Sequence, residues 1–163
     1  MWSSRRTALA MLGGALALGL SACSGLTPVY DQPRLAAGAL HVQYGAPGNR
    51  VEQLIYQDLA LRIPRGGVGD PKLTVNASQT TSSLTNDLVT SAQSQKQMTV
   101  SATITLTDTD GKVLFSGRRS ATADYTTDAQ ILSNRAAAED AAARAAHLLA
   151  ETIRLTVLGA LGK

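Results

Sequence analysis

Among 163 residues there is one cysteine, Cys23, and there are two histidines, His41 and His147. A lone cysteine excludes an internal disulfide, and two distant histidines do not make the ligand spacing of a zinc or iron site. No G-x-S-x-G turn is present, and no glycine loop that could cradle a phosphate follows a strand pattern. The acidic pair Glu139-Asp140 is adjacent within a helical pattern, so its carboxylates diverge and cannot share acid–base work. The expectation is a protein that is not an enzyme, with no metal and no dissociable cofactor. Aromatic residues are only 4% of the chain, too few for the stacking platforms that bind single-stranded nucleic acid. Positive charge is scarce as well. The formal net charge is +3, but Arg5 and Arg6 lie in the first segment, and the rest of the chain is almost balanced. Nucleic acid is therefore not an expected partner.

Long apolar runs are also missing. The longest, Ala8 to Leu20, falls short of the roughly 20 residues that span a bilayer. It follows the basic start Met1–Arg6 and ends at Leu20-Ser21-Ala22-Cys23, so it reads as a secretory signal. A small residue before a single cysteine at that place resembles the lipobox of bacterial lipoproteins. There the thiol takes a diacylglycerol, the chain is cut just before the cysteine, and the new amine receives an acyl chain such as palmitate. On this reading residues 1–22 are signal peptide, Cys23 is the lipidated first residue, 23–38 is a tether, and 39–163 is one α+β domain. Arg5-Arg6 is compatible with either the general or the twin-arginine route. Ser24, in place of the aspartate that often retains such proteins at the inner membrane, points to the outer membrane.

After the tether, Leu40, Val42 and Tyr44 alternate with polar residues and predict a short strand. Asn49 is placed as the N-cap of a helix whose apolar stripe is Val51, Leu54, Ile55 and Leu59, with Arg62 at its end, stopping before Pro64. Leu73, Val75 and Ala77 alternate as a second strand, and residues 79–95 are a polar stretch read as strand ends around a loop. Met98, Val100, Ala102, Ile104 and Leu106 form the clearest period-two pattern in the chain, closed by Asp108-Thr109-Asp110-Gly111 as a hairpin turn. A fourth strand follows from Lys112 to about Thr126. Arg119 interrupts its apolar parity, which points to a bulge at Gly117 or to an edge position.

The last element is an alanine-rich helix from about Asn134 to Leu158, with Ala141, Ala145, Leu148, Thr152 and Leu155 expected to face the sheet, a face widened by Leu149, Ile153 and Val157. Asp140, Arg144, His147, Glu151 and Arg154 make its polar stripe, with Asp140–Arg144 and His147–Glu151 as expected pairs. The fold class expected is an α+β two-layer sandwich, with two helices on one face of a four-stranded β-sheet. The other face would present Thr74, Asn76, Ser78, Thr99, Ser101, Thr103, Thr105 and Thr107 to water or to another polar surface, such as the lumen of an outer-membrane barrel.

The lipobox, the segment Asn49-Arg50-Val51-Glu52-Gln53-Leu54-Ile55, the strand Met98–Leu106, the turn into Lys112-Val113-Leu114-Phe115-Ser116-Gly117, and Ala138-Glu139-Asp140-Ala141 occur in one order. In that order they resemble the lipopolysaccharide-assembly lipoprotein family LptE, in its α-proteobacterial form. The resemblance implies a plug that sits inside the outer-membrane β-barrel LptD, helps it fold, and takes part in delivering lipopolysaccharide to the outer leaflet. It implies the barrel and lipopolysaccharide as partners, with the protein lipid-anchored at the outer membrane, on its periplasmic side and inside the barrel lumen. Basic residues near strand ends are the lipopolysaccharide contacts it suggests, here Lys96, Lys112, Arg118 and Arg119, since exposed cations can pair with lipid A phosphates. The alternative is a periplasm-facing accessory lipoprotein of a lipid ABC transporter, which would need an apolar groove of phospholipid size.

Overall fold

Asn49 opens the first helix, α1 (Arg50–Ala60), as its side-chain N-cap. Its backbone is extended, and its Oδ1 accepts the Glu52 N–H at 2.9 Å. The computed structural model describes residues 40–84 and 93–162. The expected signal, Cys23, the tether and residues 85–92 of the polar stretch lie outside the described residues. α1 buries Val51, Ile55 and Leu59, as the stripe predicts, and Tyr56 and Glu52, which the stripe leaves out, while Leu54 is half-buried. Arg62 does not join that stripe; it is exposed and pairs with Glu151 at 3.0 Å.

Four strands form one mixed sheet in the order β1-β2-β3-β4. β1 (Gln43–Tyr44) runs parallel to β2 (Lys72–Ser83), and β2–β3 (Ser94–Thr107) and β3–β4 (Val113–Thr127) pair antiparallel. β1 is shorter than the alternation over Leu40–Tyr44 predicts, and Val42 contributes only an isolated bridge to Arg65. The polar stretch, by contrast, is strand at both ends: Gln79–Ser83 pairs with Lys96–Val100. The β3–β4 turn is as expected, with Gly111 at φ +78° and the Asp108 N–H bonded to the Lys112 carbonyl at 2.8 Å.

The irregularity of β4 is not at Gly117. Leu106 pairs with Phe115 and Thr107 with Val113, so Leu114 is the extra residue and the bulge sits beside the turn. From Phe115 onward the parity is unbroken, and Arg119 stands on the helix-facing side, opposite Ala102. It stays exposed because β4 is the sheet's edge. Gly117 has another use. A Cβ there would come within 2.8 Å of the Phe115 ring, so its absence lets that ring lie along the strand.

The second helix, α2 (Ile131–Leu161), packs over β3 and β4 and against α1. Its buried face is Ala141, Ala142, Ala145, Ala146, Leu149, Ala150, Ile153 and Val157. Ala141, Ala145, Leu149, Ile153 and Val157 are buried as expected, but the face is rotated away from the other three: Leu148, Thr152 and Leu155 are exposed, Leu148 by 57% and Leu155 by 61%. Alanine supplies the reason. Its small side chain lets the first half of the helix lie close to the sheet, so the face that holds Ala141, Ala142, Ala145 and Ala146 turns inward and carries Leu149, Ile153 and Val157 with it, leaving Leu148 and Leu155 outside. The polar stripe points away from the core as expected, and Asp140 pairs with Arg144. His147 does not pair with Glu151; its Nδ1 is 2.6 Å from Asp58 on α1, while Glu151 bridges Arg62 and Arg154. Leu73, Val75, Val100, Ile104 and Leu106 meet Ile55, Leu59, Leu149, Ile153 and Val157 in the core. Each such side chain stabilises by roughly 1.5–3 kcal/mol through the apolar area it removes from water.

Candidate functional site: the uncovered face and the outer edge of the sheet

Period-two alternation leaves one face of the sheet without helices. The register aligns its side chains in cross-strand rows: Thr74, Thr105 and Ser116; Asn76, Thr103 and Arg118; Ser78, Ser101 and Ser120; Thr80, Thr99 and Thr122; Ser82, Gln97 and Asp124. In the last row Gln97 Nε2 donates to Asp124 Oδ1 at 3.0 Å. Every residue in these rows is exposed or half-exposed. The face is hydroxyl-rich and nearly neutral, able to give and accept hydrogen bonds over an extended area. It carries no arrangement that would move a proton or hold a nucleophile.

The four bases are not gathered into one cluster. Arg118 stands on the uncovered face, and Arg119 on the opposite one. The Arg119 guanidinium lies 5.9 Å from the Phe115 ring centre, and its Nη1 donates to the Arg118 carbonyl at 2.9 Å. Lys112 follows the β3–β4 turn, and Lys96 pairs with Tyr125 at the far end of the same hairpin. With a rise of about 3.3 Å per residue, Lys96 and Lys112 are roughly 35 Å apart. A single phosphate group cannot meet all four.

The outer edge of β2 is a feature that hydrophobic patterning does not reveal. β2 pairs with β3 through its even-numbered residues, so the N–H and C=O groups of Leu73, Val75, Ala77, Gln79 and Thr81 point away from β3. Gly45 N–H reaches the Leu73 carbonyl at 2.9 Å, and there β1 ends. α1 then takes over from a strand. The Val75 N–H donates to Tyr56 Oη at 2.8 Å, and that hydroxyl lies 3.4 Å from the Val75 carbonyl. The Ala77 N–H donates to Glu52 Oε1 at 2.9 Å, while Asn49 Nδ2 donates to the Ala77 carbonyl at 2.9 Å. Glu52, 6% exposed, also accepts from Gly48 N–H at 2.6 Å and from Asn49 Nδ2 at 3.0 Å. The Asn49-x-x-Glu52 spacing carries the cap, and Glu52 and Tyr56 share a helix face at i, i+4. That pair is the signal that would have found this edge.

Burial pushes the Tyr56 hydroxyl above its usual pKa; its hydrogen bond with Val75 opposes the shift and Glu52 adds to it. Tyr44 is raised to about 12, again mainly by burial, with Arg65 opposing. Tyr44 donates to the Ile63 carbonyl at 2.8 Å and meets Tyr56 edge-on, with ring centres 5.6 Å apart.

Beyond Ala77 the sheet, the start of α1 and the first half of α2 enclose an open groove of about 790 Å³. Its walls include Val51, Leu54, Ala77, Met98, Ala138 and Ala142, with Arg50, Arg135 and Glu139 around them.

A family model described as lipopolysaccharide-assembly, LptE, matches residues 37–157. No curated protein matches. Among solved structures, a lipoprotein from Caulobacter crescentus CB15 is similar at 22% identity and TM-score 0.56, covering 74% of this chain and 89% of that one. A minor lipoprotein from Acinetobacter baumannii matches at 14% identity and TM-score 0.54, over 74% of this chain and 93% of that one. The rare lipoprotein B of Shewanella oneidensis matches at 14% identity and TM-score 0.51, over 73% and 92%. These likenesses establish a shared fold.

Proposed function

The chain belongs to the LptE lipopolysaccharide-assembly family, and from that premise we propose that it plugs the outer-membrane barrel LptD, assists its assembly, and helps deliver lipopolysaccharide to the outer leaflet. Anchoring through a lipidated Cys23 keeps it at the periplasmic side of that membrane, with the domain inside the barrel lumen.

The observation that carries the reading is the uncovered sheet face. An antiparallel sheet can leave one face in water without cost. Here that face presents five hydroxyl- and amide-bearing rows across three strands and hardly any charge. The interior of a large outer-membrane barrel is polar, and the hydroxyl and amide rows of such a face can exchange water for luminal hydrogen bonds. Arg118, alone among the four bases in lying within these rows, is the one placed to meet lipid A phosphate on this face. Lys96, Lys112 and Arg119 act at separate points. The role is binding and positioning, not turnover.

Co-purification tests the proposal. After mild detergent extraction of cells, the lipoprotein should be recovered with a stoichiometric barrel, and its depletion should lower the amount of folded barrel. Recovery of the lipoprotein alone, with barrel folding unchanged, would falsify the reading. The groove beside α1 favours a second reading, the accessory of a lipid ABC transporter, because its volume suits an acyl chain. Recovery of a transporter subunit in place of the barrel would select it.

A further inference from the structure

The outer edge of β2 is satisfied only as far as α1 extends. β1 serves Leu73, Tyr56 serves Val75, and Glu52 with Asn49 serve Ala77. Asn49 is the start of α1, so no further α1 side chain reaches along the strand. β2 nevertheless continues to Ser83. Among the described residues nothing meets the outward N–H and C=O groups of Gln79 and Thr81, which sit on a fully exposed stretch.

Proteins normally guard such edges with lysine, proline or a bulge. β4, the opposite edge, is guarded by Arg118, Arg119 and the bulge at Leu114, with Lys112 just before it. The stretch Ser78–Ser83 has none of them. An unguarded edge ending in a groove has the form of a strand-addition site, where main-chain hydrogen bonds supply affinity and a side-chain pocket supplies selectivity.

We propose that an extended segment of the partner barrel chain adds to β2 along Gln79 and Thr81, with apolar side chains entering the groove beside α1 and a carboxylate meeting Arg50. The chemistry of the occupant follows from the walls. Val51, Leu54, Met98 and Ala142 call for apolar side chains at alternate positions. Arg135 is paired with Glu139 at 3.1 Å, whereas Arg50 has no ion pair among the described residues and is exposed. A second copy of this chain fits poorly, because its own helix-facing edge residues, Gln79 and Thr81, would bring polar groups into an apolar groove. The strands of a closed barrel wall have no free edge to offer. The segment is therefore a connection or extension of the barrel chain outside its wall.

The inference rests on the barrel reading, and its test separates the two. Full-length lipoprotein is expressed unaltered, as Thr81→Pro or as Thr81→Ala, and extracted with the barrel in mild detergent. Thr81→Pro removes one outward N–H but leaves the β2–β3 ladder intact, since that ladder uses Thr80 and Ser82; Thr81→Ala keeps the N–H. Barrel recovery should fall at least tenfold with Thr81→Pro and hold with Thr81→Ala. In the unaltered protein, the Gln79 and Thr81 amides should exchange hydrogen at least tenfold more slowly in the complex than alone, a readout independent of how well the proline variant folds. Full recovery with Thr81→Pro, or amides that exchange equally fast in the complex, overturns the edge site while the plug reading stands. Absence of the barrel from all three extractions overturns both.

Discussion

Glu52 Oε1 accepts the Ala77 N–H at 2.9 Å, joining the first turn of α1 to the edge of β2. The same carboxylate takes the Gly48 N–H and the Asn49 side chain, so one buried group closes a helix cap and a sheet edge together.

Glu52→Ala leaves the Gly48 and Ala77 donors unsatisfied and removes the acceptor of the Asn49 side chain at the helix start. A loss of about 2–4 kcal/mol is expected in urea denaturation of the lipid-free protein. Glu52→Gln, which keeps one acceptor oxygen, should lose less. Equal stability of all three proteins would mean that the carboxylate is dispensable.

The rotation of α2 gives a paired test. Ala145, fully buried, should not tolerate glutamate: Ala145→Glu is expected to destabilise by about 3 kcal/mol or more through an unpaired buried charge. Leu148→Glu and Leu155→Glu, on the exposed side, should change stability by no more than about 0.5 kcal/mol. Losses at Leu148 and Leu155 as large as at Ala145 would restore the face read from the sequence.

Tyr44 makes stability depend on alkaline pH. Its folded pKa of about 12 lies above the ordinary 10 of the unfolded chain, so the folded state holds more protons between those values. Stability from this group is fully present below pH 10 and is lost as pH rises toward 12; Tyr56, raised for the same cause, acts in the same direction. Tyr44→Phe should start less stable near neutrality, for want of the bond to Ile63, and show a shallower decline above pH 10. Parallel curves for the two proteins would refute this.

The scattered bases should act independently on lipopolysaccharide. Sites farther apart than about 10 Å without shared partners usually add in free energy. Lys96→Ala and Lys112→Ala should therefore weaken binding additively, each modestly, whereas Arg118→Glu should weaken it at least tenfold at low salt. Strong coupling between Lys96 and Lys112 in a double-mutant cycle would argue for one site.

Cys23 carries the anchor in this reading. Cys23→Ser should block acylation and leave uncleaved or mislocalised precursor in membrane fractionation. A cut, acylated form of that variant at the outer membrane would disprove the lipobox.

Several features follow from local sequence. The alternation from Met98 to Leu106 set which residues of β3 are buried, Asn49 set the start of α1, and Gly111 set the hairpin turn. The same alternation marked the polar rows, because a strand's two faces can be read two residues at a time. What local periodicity cannot register, tertiary structure decided. Residues 136–146 of α2 are mostly alanine, so no strong apolar contrast selects a face, and close approach to the sheet made the selection. The bulge at Leu114 put Val113 on the uncovered face, opposite Thr107, although it shares sequence parity with Phe115 and Arg119 on the helix side. Tyr56 and Glu52 look like ordinary helix residues until β2, 19 and 25 positions later, brings them backbone groups to satisfy. A main-chain N–H left by a missing strand must find a partner wherever the fold can supply one, and that requirement exists only once the chain has folded.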